Sequence, residues 1–226
     1  MLSDKSQAKF KILDLKLRFR LIETAKNFAD DVSKIGLGRA NAYYPYYMSR
    51  IRTNLITGGI QSYTWPSAIR GKLPKQIILG FVDHSAYSGH LKKNPFVFEN
   101  LDIDGLSLRV NGASYPSKPY QPDFTTGNYA VLYDDFLRNV GVGHQNESIG
   151  ISIHTYIKHK LLWVFDLTAD NCNRRELHLE QYGDIDVEVS FKTATRKTIT
   201  LLLYTATFGG LIVGKEMQVQ LLQIDS

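Results

Sequence analysis

The most constraining feature of this sequence is a side-chain alternation with a period of two, which returns in separate runs. Between Leu13 and Leu21 every odd position is apolar and every even position is charged. The run from Ile185 to Phe191 repeats the pattern, with Asp186 and Glu188 between its apolar residues. A period of two places successive side chains on opposite faces of a strand. Each run therefore predicts a β-strand with one wet face, which is typical of antiparallel sheets.

Further strands are predicted where apolar residues cluster between turn residues. These segments are 47–56, 76–82, 101–110, 161–167, 201–208 and 217–224. Asn111-Gly112 is the strongest short-range hairpin signal in the chain, because both positions of the tightest hairpin turn need a positive φ. Pro119 and Pro122 predict that 117–123 is extended and stays out of any central strand.

Two short helices are predicted, over 23–35 and over 128–140. Gly36 and Gly38 end the first in the way that C-terminal glycines do. The order of elements lacks the strand–helix–strand rhythm of a parallel sheet. Seven or eight antiparallel strands predict an all-β fold: a β-sandwich of the jelly-roll type with one or two short helices in its connections. The 226 residues fit a single domain over 1–226.

The composition excludes several classes of protein. One cysteine, Cys172, is incompatible with an internal disulfide framework. No run approaches the roughly 18 apolar residues of a membrane span. The first residues lack the apolar centre of a signal peptide, so we expect synthesis in the cytoplasm or nucleus without secretion. A net charge of +5 is too small to indicate a dedicated nucleic-acid-binding protein.

Side chains that could perform chemistry form incomplete sets. His84 and His90 lie near Asp83, but a metal site needs three or four converging ligands. Asp102 and Asp104 share a strand face, which suits either a glycosidase pair or a solvated surface. The other pairs are His154 with His159, Cys172 with His178, Asp134 with Asp135, and Asp184 with Asp186. We predict no catalytic residue, no metal and no cofactor.

Basic and aromatic residues indicate surfaces rather than a catalytic centre. Arg50 and Arg52 share one predicted strand face, and Lys16, Arg18 and Arg20 share another. Such faces suit contact with a polyanion, with another subunit or with solvent. The sequence has 13 Tyr and 11 Phe, with clusters at 43–47 and at Tyr115, Tyr120 and Phe124. Tyr and Phe in these places either pack under loops or form protein–protein interfaces.

Several stretches resemble one family of capsid proteins. They are 73–83, 86–89, 93–98, 108–112, 116–119, 121–124 and 164–170. In this order they are similar to segments of the hexon-like major capsid proteins of Polinton/Maverick elements and adintoviruses. The resemblance implies a structural jelly-roll subunit without a catalytic centre, in a protein with two such rolls in tandem. By this resemblance the chain looks like the second roll alone, either as part of a longer protein or as a single-roll relative.

The same resemblance implies the partners. They are other copies of the chain, arranged as a homotrimeric pseudo-hexagonal capsomer, then neighbouring capsomers, and penton and minor capsid proteins. The implied location is the capsid of a virion. The residues alone leave two other functions open. One is a jelly-roll module that binds carbohydrate or protein, and the other is a glycoside hydrolase on a sandwich fold.

Overall fold

The structure is a computed structural model that describes residues 11–21, 23, 41–143, 148–168, 179–213 and 218–222. In this part of the chain the strands are β1 (Ala42–Ile56), β2 (Ser62–Lys72), β3 (Gln76–Asp83), β4 (Ile103–Val110), β5 (Ala113–Tyr120), β6 (Leu162–Asp166), β7 (Tyr182–Phe191), β8 (Ile199–Val213) and β9 (Val219–Leu222). The helices are α1 (His84–Tyr87), α2 (Ala130–Asn139) and α3 (Ile153–His159). No helix in these ranges has the length and apolar content needed to cross a bilayer.

The strands form two sheets whose pairing is nested along the chain. The first sheet has the order β1-β8-β3-β6, with β9 added to β8, and the second has the order β2-β7-β4-β5. Strand β4 therefore pairs with β5, β3 with β6, β2 with β7 and β1 with β8, from the middle of the chain outward. Eight strands paired in this way make a jelly roll. The predicted antiparallel sandwich of the jelly-roll type is confirmed.

The core lies between the inner faces of the two sheets. In the first sheet Leu79 of β3 stands opposite Leu203 of β8, and both are fully buried. In the second sheet Leu108 of β4 stands opposite Val187 of β7, also fully buried. Because side chains alternate along each strand, every second residue reaches this core. Each such burial contributes about 1.5–3 kcal/mol.

Helices α2 and α3 cover one side of the sandwich near β6. The Phe136 and Tyr156 rings stack with their centroids 4.4 Å apart. Asn139 Nδ2 donates to the Val164 carbonyl oxygen at 2.6 Å, and the Tyr156 hydroxyl donates to the Leu162 carbonyl oxygen at 2.8 Å. The two helices are thus tied to β6 by side-chain hydrogen bonds as well as by ring packing.

The contacts divide the chain into two compact units. The first is built mainly by Met48–Phe208 and holds most of both sheets. The second takes the described parts of Leu2–Tyr47 and Gly209–Gln223. In the second unit Gly210 to Val213 pair with Val219 to Leu222. The Tyr43 ring occupies the space that a side chain at Gly210 would fill.

The predicted hairpin turn is present between β4 and β5. Asn111 has φ 49° and Gly112 has φ 84°, so both turn residues are in the left-handed region. Two positive φ values define the turn that matches the twist of paired strands. The Asn111 side chain also links this turn to β7, because its Oδ1 accepts from the Asp184 N–H at 2.9 Å.

The prediction of a strand over 13–21 is wrong. Residues 11–21 have no regular secondary structure, and Leu13, Leu15 and Leu17 are 86–90% exposed. Alternation gives a segment two different faces, but a strand also needs a neighbour for its backbone hydrogen bonds. No described strand provides that neighbour for 11–21. The predicted helix over 23–35 lies outside the described residues except for Glu23, and so do its glycines Gly36 and Gly38.

Three further elements differ from expectation. Strand β2 was not predicted, because Pro66 and an irregular pairing between Trp65 and Ile69 interrupt its alternation. Helices α1 and α3 lie in segments for which the sequence predicted neither a helix nor a strand. The predicted helix over 128–140 is confirmed by α2, with bounds one or two residues shorter.

Candidate functional site

The two histidines near β3 are held by hydrogen bonds to protein groups. His84 Nδ1 lies 3.0 Å from Thr200 Oγ1, and its Nε2 lies 3.3 Å from Ser88 Oγ. His90 Nδ1 accepts from the Lys92 N–H at 3.2 Å. No group of three or more potential ligands occurs within the described ranges. Both histidines therefore have structural contacts, and Cys172 and His178 lie outside the described residues.

Asp83 is the centre of an ion-pair network at the end of β3. Its Oδ2 accepts from Lys93 Nζ at 2.9 Å and from Lys197 Nζ at 3.1 Å. Its Oδ1 accepts from the Ser85 N–H at 2.9 Å, which caps helix α1. Lys197 also binds Glu99, with a distance of 2.8 Å between Nζ and Oε1.

The electrostatics of this network keep Asp83 ionised. Burial alone would raise the pKa of Asp83, but hydrogen bonds from Lys93, Ser85 and Lys197 outweigh it and hold the pKa well below its usual range. Burial alone would lower the pKa of Lys197, whereas Glu99 and Asp83 raise it. A carboxylate held in this state is suited to joining loops and is a poor proton donor.

Asp102 and Asp104 line one small depression together with Asp123. The depression has a volume of about 160 Å³, and Lys192 also lines it. Asp104 Oδ1 accepts from Ser190 Oγ at 2.6 Å. Backbone hydrogen bonds from Thr126 and Thr125 lower the pKa of Asp123. The two carboxylates thus line one depression as part of an acidic surface. They do not share a strand face as predicted, because Asp102 precedes β4 and has φ 50°.

Asp135 is a carboxyl group with the opposite tendency. Burial raises the pKa of Asp135, and a hydrogen bond with Tyr120 partly offsets that effect. Asp135 lines a separate groove of about 460 Å³ between β5 and α2. A glycosidase needs a proton-donating carboxyl and an ionised one across the same cleft. Here these two kinds of carboxyl line different cavities.

The groove at Asp135 has proline and tyrosine walls. Pro116, Pro119 and Tyr120 line it from the β5 side, and Tyr129 lines it next to α2. Burial raises the pKa of the Tyr120 hydroxyl above its usual range, and the nearby charge of Asp135 adds to that effect. Its size and mixed lining fall within the range of small-ligand sites.

The remaining acidic pairs hold strands and helices in place. Asp134 forms an ion pair with Arg138 one helical turn later, at 2.8 Å. Asp186 Oδ1 accepts from the Ser67 N–H at 2.7 Å, where Ser67 has φ 45° in the irregular part of β2. Asp184 forms an ion pair with Arg70 at 3.4 Å. These contacts account for the three acidic residues as structural groups, without a catalytic role.

The basic residues do not form one described surface. Arg52 Nη1 donates to the Ala68 carbonyl oxygen at 2.9 Å, so this guanidinium group is used between strands. Lys93 and Lys197 are neutralised by Asp83 and Glu99. Arg18 is exposed in a segment without secondary structure. The described residues thus give little support to a continuous polyanion-binding face.

The aromatic residues divide between core and surface. Tyr120 packs against Trp163 with ring centroids 5.8 Å apart, and Phe124 stacks on Tyr129 at 6.2 Å. Tyr44 and Tyr47, in contrast, are about half exposed, at 55% and 49%. The cluster around the two prolines is therefore mainly a packing feature. The cluster at 43–47 keeps the surface character that an interface requires.

The outer faces of the two sheets have opposite character. On the outer face of the second sheet Glu188 forms an ion pair with Arg109 at 2.7 Å, beside Asp184 and Asp186 on the same strand. On the first sheet, the register places Ile78 of β3 opposite Tyr204 of β8, on the side away from Leu79 and Leu203. An antiparallel sheet with one wet side normally carries polar residues there. The second sheet follows that rule and the first does not.

Sequence reasoning missed this apolar outer face. Strand β8 has apolar residues at both its even and its odd positions near Leu202 and Leu203. In sequence such a run indicates only a strand buried on both sides. Locating the exposed part needs the register of the sheet and the position of the residues that cover it. The available signal was the lack of charge along 199–208 in a chain with 22% charged residues.

The chain is similar to a small set of known proteins. No family model matches it. An uncharacterised protein of Caenorhabditis elegans is 21% identical over 190 residues, which are 83% of this chain and 45% of that protein.

Solved structures similar to this chain include viral capsid structures. They include the Sputnik virophage, with a TM-score of 0.47, 17% identity and coverage of 82% of this chain and 40% of that one. The PBCV-1 capsid has a TM-score of 0.47, 9% identity and coverage of 81% and 52%. The mavirus major capsid protein has a TM-score of 0.39, 9% identity and coverage of 83% and 42%. The chain spans about half or less of the length of these relatives.

Proposed function

We propose that this chain is a structural subunit of the capsid type, which acts by packing against copies of itself. The observation that carries the proposal is where the capsid-like stretches lie in the fold. Residues 73–83 include β3, residues 108–112 form the end of β4 and its turn, and residues 164–168 include the end of β6. These stretches build the nested strands of the jelly roll. Of the other stretches, 116–119 lies in β5, 86–89 overlaps α1, and 93–98 and 121–124 lie in connections. A resemblance that includes strands of both sheets fits a protein whose function is its shape.

The chemistry of the described residues agrees with a role without catalysis. The carboxyl group with a raised pKa, Asp135, is separated from the acidic group at Asp102, Asp104 and Asp123. Nucleophilic or acid–base catalysis needs such groups in mutual contact. We therefore infer a non-enzymatic protein.

The finer parts of the proposal concern the assembly. The chain forms one roll of a protein with two, and three such proteins form a pseudo-hexagonal capsomer. Neighbouring capsomers, penton proteins and minor capsid proteins are its partners, and its location is the capsid of a virion. The exposed tyrosines Tyr44 and Tyr47 supply surface of the kind found in protein–protein contacts.

Sedimentation of the purified chain over a range of concentrations tests the proposal. We expect the weight-average mass to rise with concentration from about 10 µM to 1 mM, because weak protein contacts fall in this affinity range. Electron microscopy of the most concentrated samples checks for ring-shaped or shell-like particles. A chain that stays monomeric throughout and forms no particles contradicts self-assembly.

The groove at Asp135 favours a second candidate function, which is a binding module for a carbohydrate. Tyr129 and Tyr120 offer aromatic faces, while Asp135 and Asn128 offer hydrogen-bonding groups in a volume of about 460 Å³. A ligand site combines apolar walls with a few such polar groups.

A glycan array probed with the full chain tests this second candidate. If the groove binds a sugar, Tyr129→Ala should lower the signal at least tenfold, since it removes an aromatic wall. Tyr182→Ala changes a tyrosine that is 65% exposed and outside the groove, so it should bind like the wild type. Absence of any saturable glycan leaves the groove without this role.

A further inference from the structure

The outer face of the first sheet carries an apolar patch, which we define by Ile51, Ile78, Leu202 and Tyr204. Tyr204 lies opposite Ile78 across the β8–β3 pairing. The Tyr204 hydroxyl lies 2.7 Å from Ser49 Oγ of β1, which places Ser49 on the same face. Ile51 is two residues further along β1 and therefore shares that face. All four patch residues belong to the same compact unit.

Neighbouring segments cover the outer face of the first sheet near β6 and β3 and do not extend to β1. The Phe98 ring lies over Gly80 of β3, where an added Cβ would stand 2.8 Å from it. Asn139 of α2 binds the Val164 carbonyl group of β6. Toward β1 the cover ends, and Ile51 is 68% exposed. Leu202 and Tyr204 are partly exposed and lie outside the packed core, whereas Ile78 is partly buried against it and forms the covered edge of the patch.

The patch also differs from the rest of the surface in its charge. The outward positions of β1 from Ser49 to Leu55 and of β8 from Thr200 to Phe208 have no Asp, Glu, Lys or Arg. The outward residues of β7 are acidic, with Arg70 and Arg109 beside them. An exposed apolar sheet face of this kind marks an interaction site.

We propose that this patch is the surface through which a second copy of the chain packs, face to face. The inference rests on the proposed self-assembly and names the surface that performs it. Each copy has a net charge of +5, so two copies repel each other at most orientations. Contact through an uncharged face buries no like charges. A flat sheet face is also complementary to another flat sheet face, as in the packing of sheets in sandwiches.

The size of the patch sets the strength of this contact. Three strands about 4.8 Å apart and a length of eight residues give a projected area of about 14 Å by 26 Å, or about 370 Å² per copy. A standard stable interface buries about 800 Å² per partner. The contact should therefore be a weak two-fold one, of the kind that joins capsomers cooperatively in a larger assembly.

Sedimentation velocity of Ile51→Lys tests the proposal. A lysine at this exposed position brings two like charges into an apolar contact, so the dimer dissociation constant should rise at least tenfold. The matched control is Thr64→Lys, which adds the same charge to an exposed position of β2 in the second sheet. This control should associate like the wild type. Ile51→Ser removes the apolar side chain without adding charge, and it replaces the lysine variant if circular dichroism shows that variant to be misfolded.

The outcomes separate this inference from the function on which it rests. Weaker association of both Ile51 variants, with Thr64→Lys unchanged, supports the patch. Association of the Ile51 variants equal to that of the wild type overturns the patch and leaves self-assembly standing. A wild-type chain that never associates overturns the proposed function itself.

Discussion

Replacing Phe81 with alanine should lower the free energy of unfolding by about 3–5 kcal/mol, as large-to-small substitutions of buried aromatic residues do. Phe81 lies on β3 of the first sheet and is fully buried. Its ring meets Phe191 of β7, in the second sheet, edge to face with centroids 6.4 Å apart. The substitution leaves a cavity between the two sheets, where the surrounding strands cannot move closer. Urea denaturation followed by tryptophan fluorescence measures the change.

The matched control is Phe96→Ala, which deletes the same side chain where it is 68% exposed. A change at such a position should stay within about 0.5 kcal/mol. Typical domains have a total stability of about 5–15 kcal/mol, so the two variants should differ clearly in their urea midpoints. If Phe81→Ala costs less than 1 kcal/mol, the sheets do not depend on this contact and the sandwich core lies elsewhere.

The fold was predictable where local chemistry and tertiary structure agree. Asn111-Gly112 forms the expected turn because two positive φ values suit few other residue pairs. The alternation over 185–191 formed β7, since both its neighbours, β2 and β4, are present. The antiparallel sandwich followed from many such runs and the absence of long helical periods. The pairing order could not be predicted, because nested partners lie up to about 150 residues apart.

The failures have equally specific causes. The segment 13–21 has the clearest alternation in the sequence, yet it lacks a described partner strand and is exposed. Strand β2 has a partner, β7, but its own pattern is broken at Pro66 and Ser67. An alternating sequence and a strand in the structure can therefore occur independently of each other. Alternation reflects which face of a segment is buried, whereas a strand needs backbone hydrogen bonds from a neighbouring strand.

The candidate surfaces were less predictable than the fold. His84 contacts Thr200, and Asp83 binds Lys197. In each pair the two residues are more than 100 positions apart in sequence, so neither contact could be predicted from local sequence. The apolar outer face needs the sheet register and the position of Phe98, neither of which is encoded locally. Asp135 and Asp102 line different cavities, and this separation also depends on the tertiary fold. The sequence could predict only that no complete catalytic set is local, because groups that converge in the fold come from distant segments.

Replacing Asp83 with asparagine should destabilise the chain by about 2 kcal/mol at neutral pH, as the loss of charge-assisted hydrogen bonds does. The Asp83 side chain is 14% exposed and accepts bonds from Lys93, Lys197 and Ser85. Asparagine keeps one acceptor oxygen for the Ser85 N–H but carries no charge for the two lysines. Urea denaturation at several pH values measures the difference in the free energy of unfolding.

The pH dependence follows from the lowered pKa of Asp83. In the unfolded chain this group titrates near its usual value of about 3.9, whereas in the fold its pKa is lower. Its contribution is therefore complete above about pH 5 and is lost as the pH falls through and below about 4. The difference between the wild type and Asp83→Asn should shrink over this range.

A control for general acid effects is Asp134→Asn, which removes an exposed helical ion pair with Arg138. Such a pair contributes only about 0.3–0.5 kcal/mol, so this variant should resemble the wild type at neutral pH. A difference between the wild type and Asp83→Asn that stays constant from pH 7 to pH 3 would show that the charge of Asp83 is not the cause. The stabilisation would then come from contacts of the Asp83 side chain that do not depend on its charge. A difference that disappears in acid assigns the effect to the two lysine pairs that join β3 to the segments around Lys93 and Lys197.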